Sequence, residues 1–438
     1  MTIRRIQKTA VGICVTAVVM LVAATASAEW GEGVRGGPFV LHPGVSLSAG
    51  FDSNLFYSSP SDQDRMYQAP EGVLEPRLSI ETEEGGDWDL DGNAAVRWRH
   101  LFSDDDRVRA QSGLSADLDA TATWNAEGAF SLRFSEEFTR THETPNYPSI
   151  QSINRIYNQA GIMAGLHPGG RVLETYVSYD FALHRYSERL SRLNRDAHQF
   201  GWHGHWAFLP KTALVAEADH RRIRYHHGEH GGPAISADGQ MRNANSNPVR
   251  LLGGLEGLIT ERISVGLRGG YGWANYEVGP DHQNALARAE ASYQFGNLAF
   301  DNRLRAGYDW DFSDSRLGNF YTRHRILAGY EQGFVENRLR FDLEASGEIR
   351  NYSDLEIDQV ETELGEYMLP EDASDLLFNV SASTDYELRD GWTVGARYRF
   401  RANFTDDAIE VAGPDIADEQ LLRDYNRHHL LLSTTLTY

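Results

Sequence analysis

The sequence predicts an all-β fold, a transmembrane antiparallel up-and-down β-barrel of about 18 strands with short periplasmic turns and long extracellular loops. Three observations predict this class. Apolar and polar residues alternate along most of the chain, short and long connections follow one another in turn, and the chain opens on an export signal. Alternation of this kind places one chemistry on each face of an extended strand.

The clearest alternating segment is GWTVGARYRFRANF, residues 391–404, in which every second residue from Trp392 to Phe404 is apolar or aromatic. The predicted strands of about 10 to 14 residues are longer than those of soluble sandwiches and match the roughly 9–11 residues of a tilted membrane-spanning strand. We therefore expect lipid on the apolar face and water on the polar face. Strands are expected near residues 45–52, 77–81, 88–99, 114–124, 130–135, 157–167, 171–186, 196–209, 212–225, 247–259, 263–275, 285–295, 298–310, 321–334, 338–351, 374–388, 391–404 and 425–438.

The connections between these segments alternate in length. Short turns such as NAEG at 125–128 and RDG at 389–391 alternate with long, polar and irregular stretches such as 226–246, 352–373 and 405–424. Tight turns on one side and long loops on the other are typical of barrels in the outer membrane of Gram-negative bacteria. Aromatic residues also cluster near the predicted strand ends, where a membrane interface favours them. The 226–246 loop is the best candidate for a constriction folded into the pore.

The first 28 residues have the features of a secretory signal peptide. Arg4, Arg5 and Lys8 precede an apolar run, and Ala26-Ser27-Ala28 is a small-x-small cleavage site. An uncleaved membrane anchor is the alternative, which the short run and the good cleavage site disfavour. The expected division of the chain is a signal peptide at 1–28, a short periplasmic N-terminal segment at 29–44 and an outer-membrane β-barrel at 45–438.

The composition excludes several classes of protein. The chain has 41 basic and 63 acidic residues, a net charge of −22, which argues against nucleic-acid binding. Mean hydropathy is −0.48, and no stretch beyond the signal approaches the roughly 20 apolar residues of a spanning helix, so a helical membrane protein is excluded. Lys211 is the only lysine beyond the signal. This reflects either genome composition or a lumen that favours planar, permanently charged arginine.

On the polar faces, acidic residues and arginines interleave between neighbouring predicted strands, where opposite charges attract. A barrel of about 18 strands leaves an aqueous channel, so we expect these residues to line it. They form either a solvated wall of ion pairs or a track for a polar polymer. The candidate lining residues are Arg97, Arg99, Asp117, Asp119, Arg268, Arg288, Arg303, Arg305, Arg323, Arg325, Arg340, Arg397, Arg399 and Arg401.

The loop YHHGEHGG, residues 225–232, contains three weak candidates for metal binding, His226, His227 and His230. Histidines beside a carboxylate suit zinc or copper, but a solvated loop explains the segment better. We therefore expect neither a metal nor a cofactor. A hydrolytic barrel would need a serine, a histidine and an acid together, and no nucleophile motif stands out. We expect no enzymatic activity.

The segment HPGVSLSAGFDSNLFYSS, residues 42–59, resembles the first strand of the Putative beta-barrel porin 2 family, an alternating strand that ends in Asp-Ser-Asn before the first loop. The alternating C-terminus HHLLLSTTLTY resembles the assembly signal of outer-membrane barrels. With its signal peptide and acidic loops, the chain is similar to the barrels of exopolysaccharide secretion in gliding bacteria. The resemblance implies export of a polysaccharide and a periplasmic polysaccharide-export protein as partner. Outer-membrane lipid and lipopolysaccharide would surround the barrel.

Three functions are compatible with these observations. The leading expectation is a passive conduit for polysaccharide export, which predicts that deletion abolishes surface polysaccharide. A general or nutrient-selective diffusion porin predicts defects in solute uptake instead. A surface adhesin or scaffold acting through its loops predicts that loop deletions abolish binding and leave the pore intact.

Overall fold

The computed structural model describes residues 31–60, 66–83, 86–142, 154–168, 172–186, 194–226, 245–277, 279–296, 302–315, 319–352, 360–362, 365–368, 373–405, 408–413, 416–422 and 424–438. In chain order the strands are β1 (Val34–Gly36), β2 (Phe39–Asp52), β3 (Ala69–Thr82), β4 (Trp88–Leu101), β5 (Gly113–Trp124), β6 (Phe130–Thr141), β7 (Arg155–Leu166), β8 (Leu173–Tyr186), β9 (Arg195–Leu209), β10 (Thr212–Tyr225), β11 (Ser246–Leu258), β12 (Ile263–Tyr276), β13 (His282–Gln294), β14 (Arg303–Asp314), β15 (Phe320–Phe334), β16 (Leu339–Tyr352), β17 (Val360–Thr362), β18 (Gly365–Met368), β19 (Ala373–Arg389), β20 (Trp392–Phe404), β21 (Ala408–Gly413), β22 (Ile416–Leu422) and β23 (Tyr425–Thr437). One helical turn, α1 (Asp106–Arg109), lies between β4 and β5. Among these residues no helix is long and apolar enough to cross a membrane.

Eighteen of the described strands close into one antiparallel barrel, which confirms the predicted fold class and strand number. The strands β2 to β16, β19, β20 and β23 pair in chain order, and β23 then pairs with β2 over residues 44–52. Closure gives each barrel strand two neighbours. In lipid this matters because the unpaired backbone groups of an open edge would cost several kcal/mol each.

The first barrel strand begins earlier than the sequence pattern indicated. β2 starts at Phe39, inside the segment 29–44 that was expected to precede the barrel. Pro43 obscured the strand in the sequence because proline has no N–H to donate to a ladder. In the structure Pro43 lies opposite Leu78 of β3, and its carbonyl oxygen accepts a hydrogen bond from Tyr438 N at 2.9 Å. Before residue 44, β1 takes the place of β23 beside β2.

The two faces of the wall differ as the alternation predicts. Large apolar side chains on one face stay exposed, among them Leu47 (56%), Ile326 (64%) and Leu432 (57%). The register places apolar residues beside one another on this face, as where Leu47 lies opposite Leu74. An apolar band of this extent around a closed barrel faces lipid. The opposite face carries most of the charged side chains and encloses the lumen.

The turns at the periplasmic end are short. β19 and β20 are joined by Asp390 and Gly391 alone, and Gly391 adopts a φ of +71°. A two-residue hairpin requires this left-handed backbone, which glycine adopts without steric strain. β2 begins and β23 ends at this side of the barrel.

The long connections 352–373 and 405–424 were expected to be irregular, and that prediction was wrong. The strands β17, β18, β21 and β22 form a separate antiparallel sheet of four strands, in which β18 pairs with β21 and so joins the two connections. β17 and β18 have only 3 and 4 residues, too few for a period of two to be recognised in the sequence.

Candidate functional site: the barrel lumen and its extracellular mouth

The structure places all fourteen candidate lining residues on the face opposite the exposed apolar band. Each alternates along its strand with outward side chains such as Trp98, Leu267 and Ile326. The candidates lie on β4 (Arg97, Arg99), β5 (Asp117, Asp119), β12 (Arg268), β13 (Arg288), β14 (Arg303, Arg305), β15 (Arg323, Arg325), β16 (Arg340) and β20 (Arg397, Arg399, Arg401).

Carboxylates lie between these arginines on neighbouring strands. Glu75 on β3 accepts hydrogen bonds from Arg77 and from Arg97, each with an N–O distance of 2.7 Å. Arg97 also lies 3.7 Å from Asp117 on β5. A chain of alternating charge therefore crosses three adjacent strands of the wall.

A longer chain of ion pairs crosses the wall from β10 to β15. Glu217 lies 3.4 Å from Arg268 and 3.6 Å from Arg288. Asp309 in turn lies 3.3 Å from Arg288 and 3.1 Å from Arg323. Partly solvated pairs of this kind contribute only about 0–1 kcal/mol each. Their main effect is to hold the guanidinium planes in fixed orientations along the wall.

Other candidates differ in their contacts. Arg305 lies 2.6 Å from Glu331 on the next strand, and Arg303 lies 3.8 Å from the same carboxylate. Within the described part of the chain, no ion pair within 4 Å forms at Asp119, Arg325, Arg340 or Arg397. Asp119, Arg340 and Arg397 are exposed to the lumen. Charged groups are thus available there to a passing solute.

A cavity of about 700 Å³ lies in the lumen against the periplasmic halves of β9 to β15. It brings four candidate arginines together with three carboxylates and a histidine. These lining residues are Arg268, Arg288, Arg305, Arg325, Glu256, Glu290, Asp309 and His205, and Lys211 adds one more positive charge at the periplasmic turn. A solute in this cavity would meet donors and acceptors on the same wall.

The first loop narrows the extracellular mouth of the lumen; we call its residues 53–60 loop 1. The side chains of Phe56 and Tyr57 are fully buried. The Tyr57 ring stacks on the Arg427 guanidinium at 4.7 Å, and its hydroxyl accepts a hydrogen bond from Arg401 at 3.2 Å. Because Arg401 and Arg427 lie on the lumen face of β20 and β23, Tyr57 lies inside the mouth.

The Asp-Ser-Asn segment determines where loop 1 begins. Ser53 extends the pairing of β2 with β23: its N–H donates to the carbonyl oxygen of His428 and its hydroxyl accepts from His428 N. The side-chain amide of Asn54 donates to the carbonyl oxygens of Ser58 and Asn426, at 2.8 and 2.9 Å, while its oxygen accepts from Ser58 N. These bonds close the seam between the first and last strands and turn the chain inward.

Asp52 is the centre of a buried charged cluster below loop 1. It accepts hydrogen bonds from Arg427 at 2.9 Å and from Arg99 at 3.2 Å. Arg99 and His429 both contact Glu71. We call these five residues the mouth network. Buried charges of this kind are tolerated only when they are paired and hydrogen-bonded.

The outer side of loop 1 is held by an apolar cluster. Phe56 packs with Ala69, Leu101 and Val108, the last of which belongs to α1. Asp105 caps α1 by accepting a hydrogen bond from Arg107 N. The bond from the Arg107 side chain, at 2.9 Å, holds the pKa of the Asp105 carboxyl below its usual value.

A second element leans over the lumen, the two strand ends at residues 311–315 and 319–320, which we call the β14–β15 tip. Phe312 and Phe320 are buried against Leu286, which lies on the lumen face of β13. Simple alternation would place Phe312 in lipid. The pairing of β13 with β14 ends at Ala287, however, so the end of β14 is free to bend toward the lumen. Gly272 makes room, because a Cβ at that position would lie 2.6 Å from the Phe312 ring.

The predicted constriction, 226–246, lies outside the described residues except for its ends at 226 and 245–246. The narrowing among the described residues comes from loop 1 and the β14–β15 tip, and the sequence singled out neither. A signal was present in the first of them. Leu55, Phe56 and Tyr57 form an apolar run in a loop, directly after Asp-Ser-Asn, where a solvated loop would be polar.

Of the three histidines considered for a metal, only His226 lies among the described residues. Its Nε2 lies 2.5 Å from the Asp196 carboxylate. His227 and His230 lie outside the described residues. In the described part of the chain, no group of three or more His, Cys, Asp and Glu side chains is placed to hold a metal ion.

A closed antiparallel barrel with a lipid-facing apolar band and a charged lumen is an outer-membrane channel of a Gram-negative bacterium. More specifically, the chain belongs to the Putative beta-barrel porin 2 family, whose family model matches residues 31–299. This match confirms the resemblance of residues 42–59.

Several solved outer-membrane proteins are similar to the chain. OpdK from Pseudomonas aeruginosa, solved with vanillate, has 10% identity and a TM-score of 0.43, with 91% of this chain and 99% of that chain covered. A BenF-like porin from Pseudomonas fluorescens Pf-5 has the same four values. A mutant of the ferric enterobactin receptor PfeA from Pseudomonas aeruginosa has 11% identity and a TM-score of 0.44, with 91% and 80% covered. No curated protein matches the chain.

Proposed function

We propose that this channel is a passive conduit for the export of a polysaccharide across the outer membrane. The observation that carries the proposal is the continuous series of guanidinium and carboxylate groups from β10 to β15, which leads into the 700 Å³ cavity. Sugar hydroxyls both donate and accept hydrogen bonds. A wall with donors and acceptors at close intervals can therefore contact every sugar unit of a polysaccharide.

The same wall suits movement as well as binding. Conduction requires many weak sites rather than one strong site, because a polymer held tightly at one point does not advance. The carboxylates of the wall already pair with some of the N–H groups of the arginines, and this weakens any single contact between an arginine and the polymer. Exposed groups such as Arg340 and Arg397 offer planar donors to sugars and to any uronate groups.

A periplasmic polysaccharide-export protein is the proposed partner, and the short turns and β1 are where it would contact the barrel. β1 pairs with the periplasmic end of β2, and its other edge, which pairs with none of the described strands, lies on that side of the membrane. The partner would deliver the polymer to the acidic and basic groups at the periplasmic end of the lumen.

A diffusion porin is the second candidate, and loop 1 favours it. Tyr57 narrows the mouth beside Arg401, and pores for small solutes commonly carry an inward loop of this kind. In that case the solute would be small enough to pass beside loop 1, and the arginines would select its charge.

The two candidates differ in what a deletion strain loses. For the export conduit, we expect loss of surface polysaccharide, detected by carbohydrate staining and by glycan analysis of the medium, with uptake of small solutes unchanged. Restoration by the plasmid-borne gene is the control. Intact surface polysaccharide together with slower solute uptake would instead establish the porin and reject export.

Reversing charge in the cavity should weaken the contact with an acidic oligosaccharide. In the R305E/R325E variant, reconstituted in a planar bilayer, we expect current block by a uronate-containing oligosaccharide to weaken at least tenfold, about 1.4 kcal/mol. The reason is the loss of two guanidinium donors and the gain of two repelling carboxylates on the cavity wall.

The matched control is R262E/R338E, which makes the same change of charge at exposed positions of two periplasmic turns. We expect its block to remain near that of the unmodified barrel. Equal weakening in both variants would mean that overall charge, and not the cavity wall, determines the interaction.

A further inference from the structure

Charged residues on the outward face of the described barrel strands are grouped mainly in one sector. Setting aside the β14–β15 tip, the extracellular halves of the described barrel strands carry Asp, Glu, Lys or Arg on the outward face only on β6, β8, β9 and β10. The positions are Glu136, Arg140, Arg185, Asp196, Arg222 and Arg224. On the rest of the outward face in this zone, residues are apolar, aromatic or uncharged polar.

Arg222 and Arg224 are the most accessible of these charges. Both are exposed, and both continue the outward face of β10 above His220, which lies opposite the exposed Phe200. Two residues of a strand span about 6.6 Å, so the two guanidinium groups lie about one and two such steps above the aromatic row. Aromatic side chains mark the membrane interface of outer-membrane barrels, so we infer that the two guanidinium groups lie at the level of the headgroups. An outward arginine costs little there and several kcal/mol at mid-membrane.

The acidic residue of the sector nearest to the two arginines, Asp196, already has two other partners. Asp196 is occupied by Arg185 at 2.5 Å and by His226 at 2.5 Å. Arg222 lies opposite His198 in the register and Arg224 opposite Asp196. The sector therefore has a local excess of positive charge on a protein whose net charge is −22.

Below the two arginines the surface forms a shallow groove. Ala216 and Ala218 line its floor on β10, while Trp202 on β9 (43% exposed) and Leu251 on β11 (46% exposed) rise on either side. A groove between large apolar side chains accepts a linear hydrocarbon chain. The two arginines lie above it, beyond His220.

We propose that this sector is a lipopolysaccharide site, in which Arg222 and Arg224 bind a phosphate group of lipid A and the groove on β10 takes one of its acyl chains. The outer leaflet supplies this ligand at high concentration. Guanidinium groups bind phosphate with two parallel N–H bonds, which fixes the lipid in position as well as attracting it. This site is independent of what passes through the lumen.

The test compares three purified barrels in detergent: unmodified, R222Q/R224Q, and R262Q/R338Q, which removes the same charge from periplasmic turns. Lipopolysaccharide is added, and the temperature at which the compact gel band converts to the unfolded band is measured. We expect stabilisation of the unmodified and R262Q/R338Q barrels, with half-saturation at least tenfold higher for R222Q/R224Q. Dephosphorylated lipopolysaccharide should stabilise none of them at comparable concentrations, and inorganic phosphate alone should have no effect.

Equal stabilisation of the unmodified and R222Q/R224Q barrels would overturn the proposal, as would equal stabilisation by dephosphorylated lipid. Stabilisation by inorganic phosphate alone would also reject it, in favour of a free anion site. The single variants R222Q and R224Q give the same readout if the double variant does not form a compact band. Retention of binding in R222K/R224K and its loss in R222Q/R224Q would establish that charge is required.

Discussion

Asp52→Ala is expected to lower the free energy of unfolding of the barrel by about 3–5 kcal/mol, because it removes one partner of a buried ion pair. The Asp52 side chain is fully buried, and its carboxylate serves Arg427 and Arg99 together. Alanine would remove this carboxylate from both guanidinium groups, while Arg99 keeps its ion pair with Glu71. Urea titration of the barrel folded into phospholipid vesicles, followed by tryptophan fluorescence, measures the change.

The control is Asp89→Ala, which removes a carboxylate from an exposed lumen position at the periplasmic end of β4. We expect a change within about 1 kcal/mol there, since exposed charges contribute little. The Asp52 variant should also show a larger or noisier single-channel current, because loop 1 loses the charged support beneath Tyr57. Similar losses of stability in the two variants would show that the mouth network stabilises the barrel no more than an exposed carboxylate does.

The alternation of side chains was sufficient to predict most of the barrel. In residues 391–404 a period of two determines which side chains share a face, whichever solvent each face meets. The length of the strands then indicated that the apolar face meets lipid. β20 begins and ends within one residue of the predicted segment. The lumen face followed from the same reasoning, and so the candidate arginines could be named from sequence.

The mouth could not be predicted in this way because its contacts are distant in sequence. Asp52 and Arg427 are separated by 375 residues, and Tyr57 and Arg427 by 370. Only closure of the barrel brings β23 beside β2, and a linear pattern contains no information about which loop the closed mouth will receive. Asp-Ser-Asn was visible as a motif, but its role depends on partners supplied by the last strand.

The β14–β15 tip shows where alternation itself fails. The period of two relates a side chain to the local sheet, so it predicts lipid or lumen only while both neighbouring strands continue. Pairing of β13 with β14 stops at Ala287, and beyond it the outward face of β14 meets the inner face of β12 and β13. Phe312 and Phe320 are therefore buried in protein. The same break allows Asp311 to reach Arg250 at 2.8 Å across the lumen side.

Leu432→Arg is expected to lower the free energy of unfolding by about 2–4 kcal/mol, the cost of an arginine on the lipid face near the bilayer midplane. Leu432 is 57% exposed and lies near the middle of the 13 residues of β23. Its register neighbours, Ala49 and Ala396, offer no carboxylate to the new guanidinium. The same urea titration in vesicles provides the measurement, and the compact band on an unheated gel shows that the variant has folded.

Ser433→Arg is the matched control, because it places the same side chain one residue further along β23 on the opposite face. Ser433 lies opposite Gly395, next to which the Asp385 carboxylate is found, so the new arginine would meet water and an anion. We expect a change within about 1 kcal/mol, the range of a solvated ion pair. Equal destabilisation by the two arginines would mean that both faces of β23 meet the same medium, which a water-filled barrel in lipid does not allow.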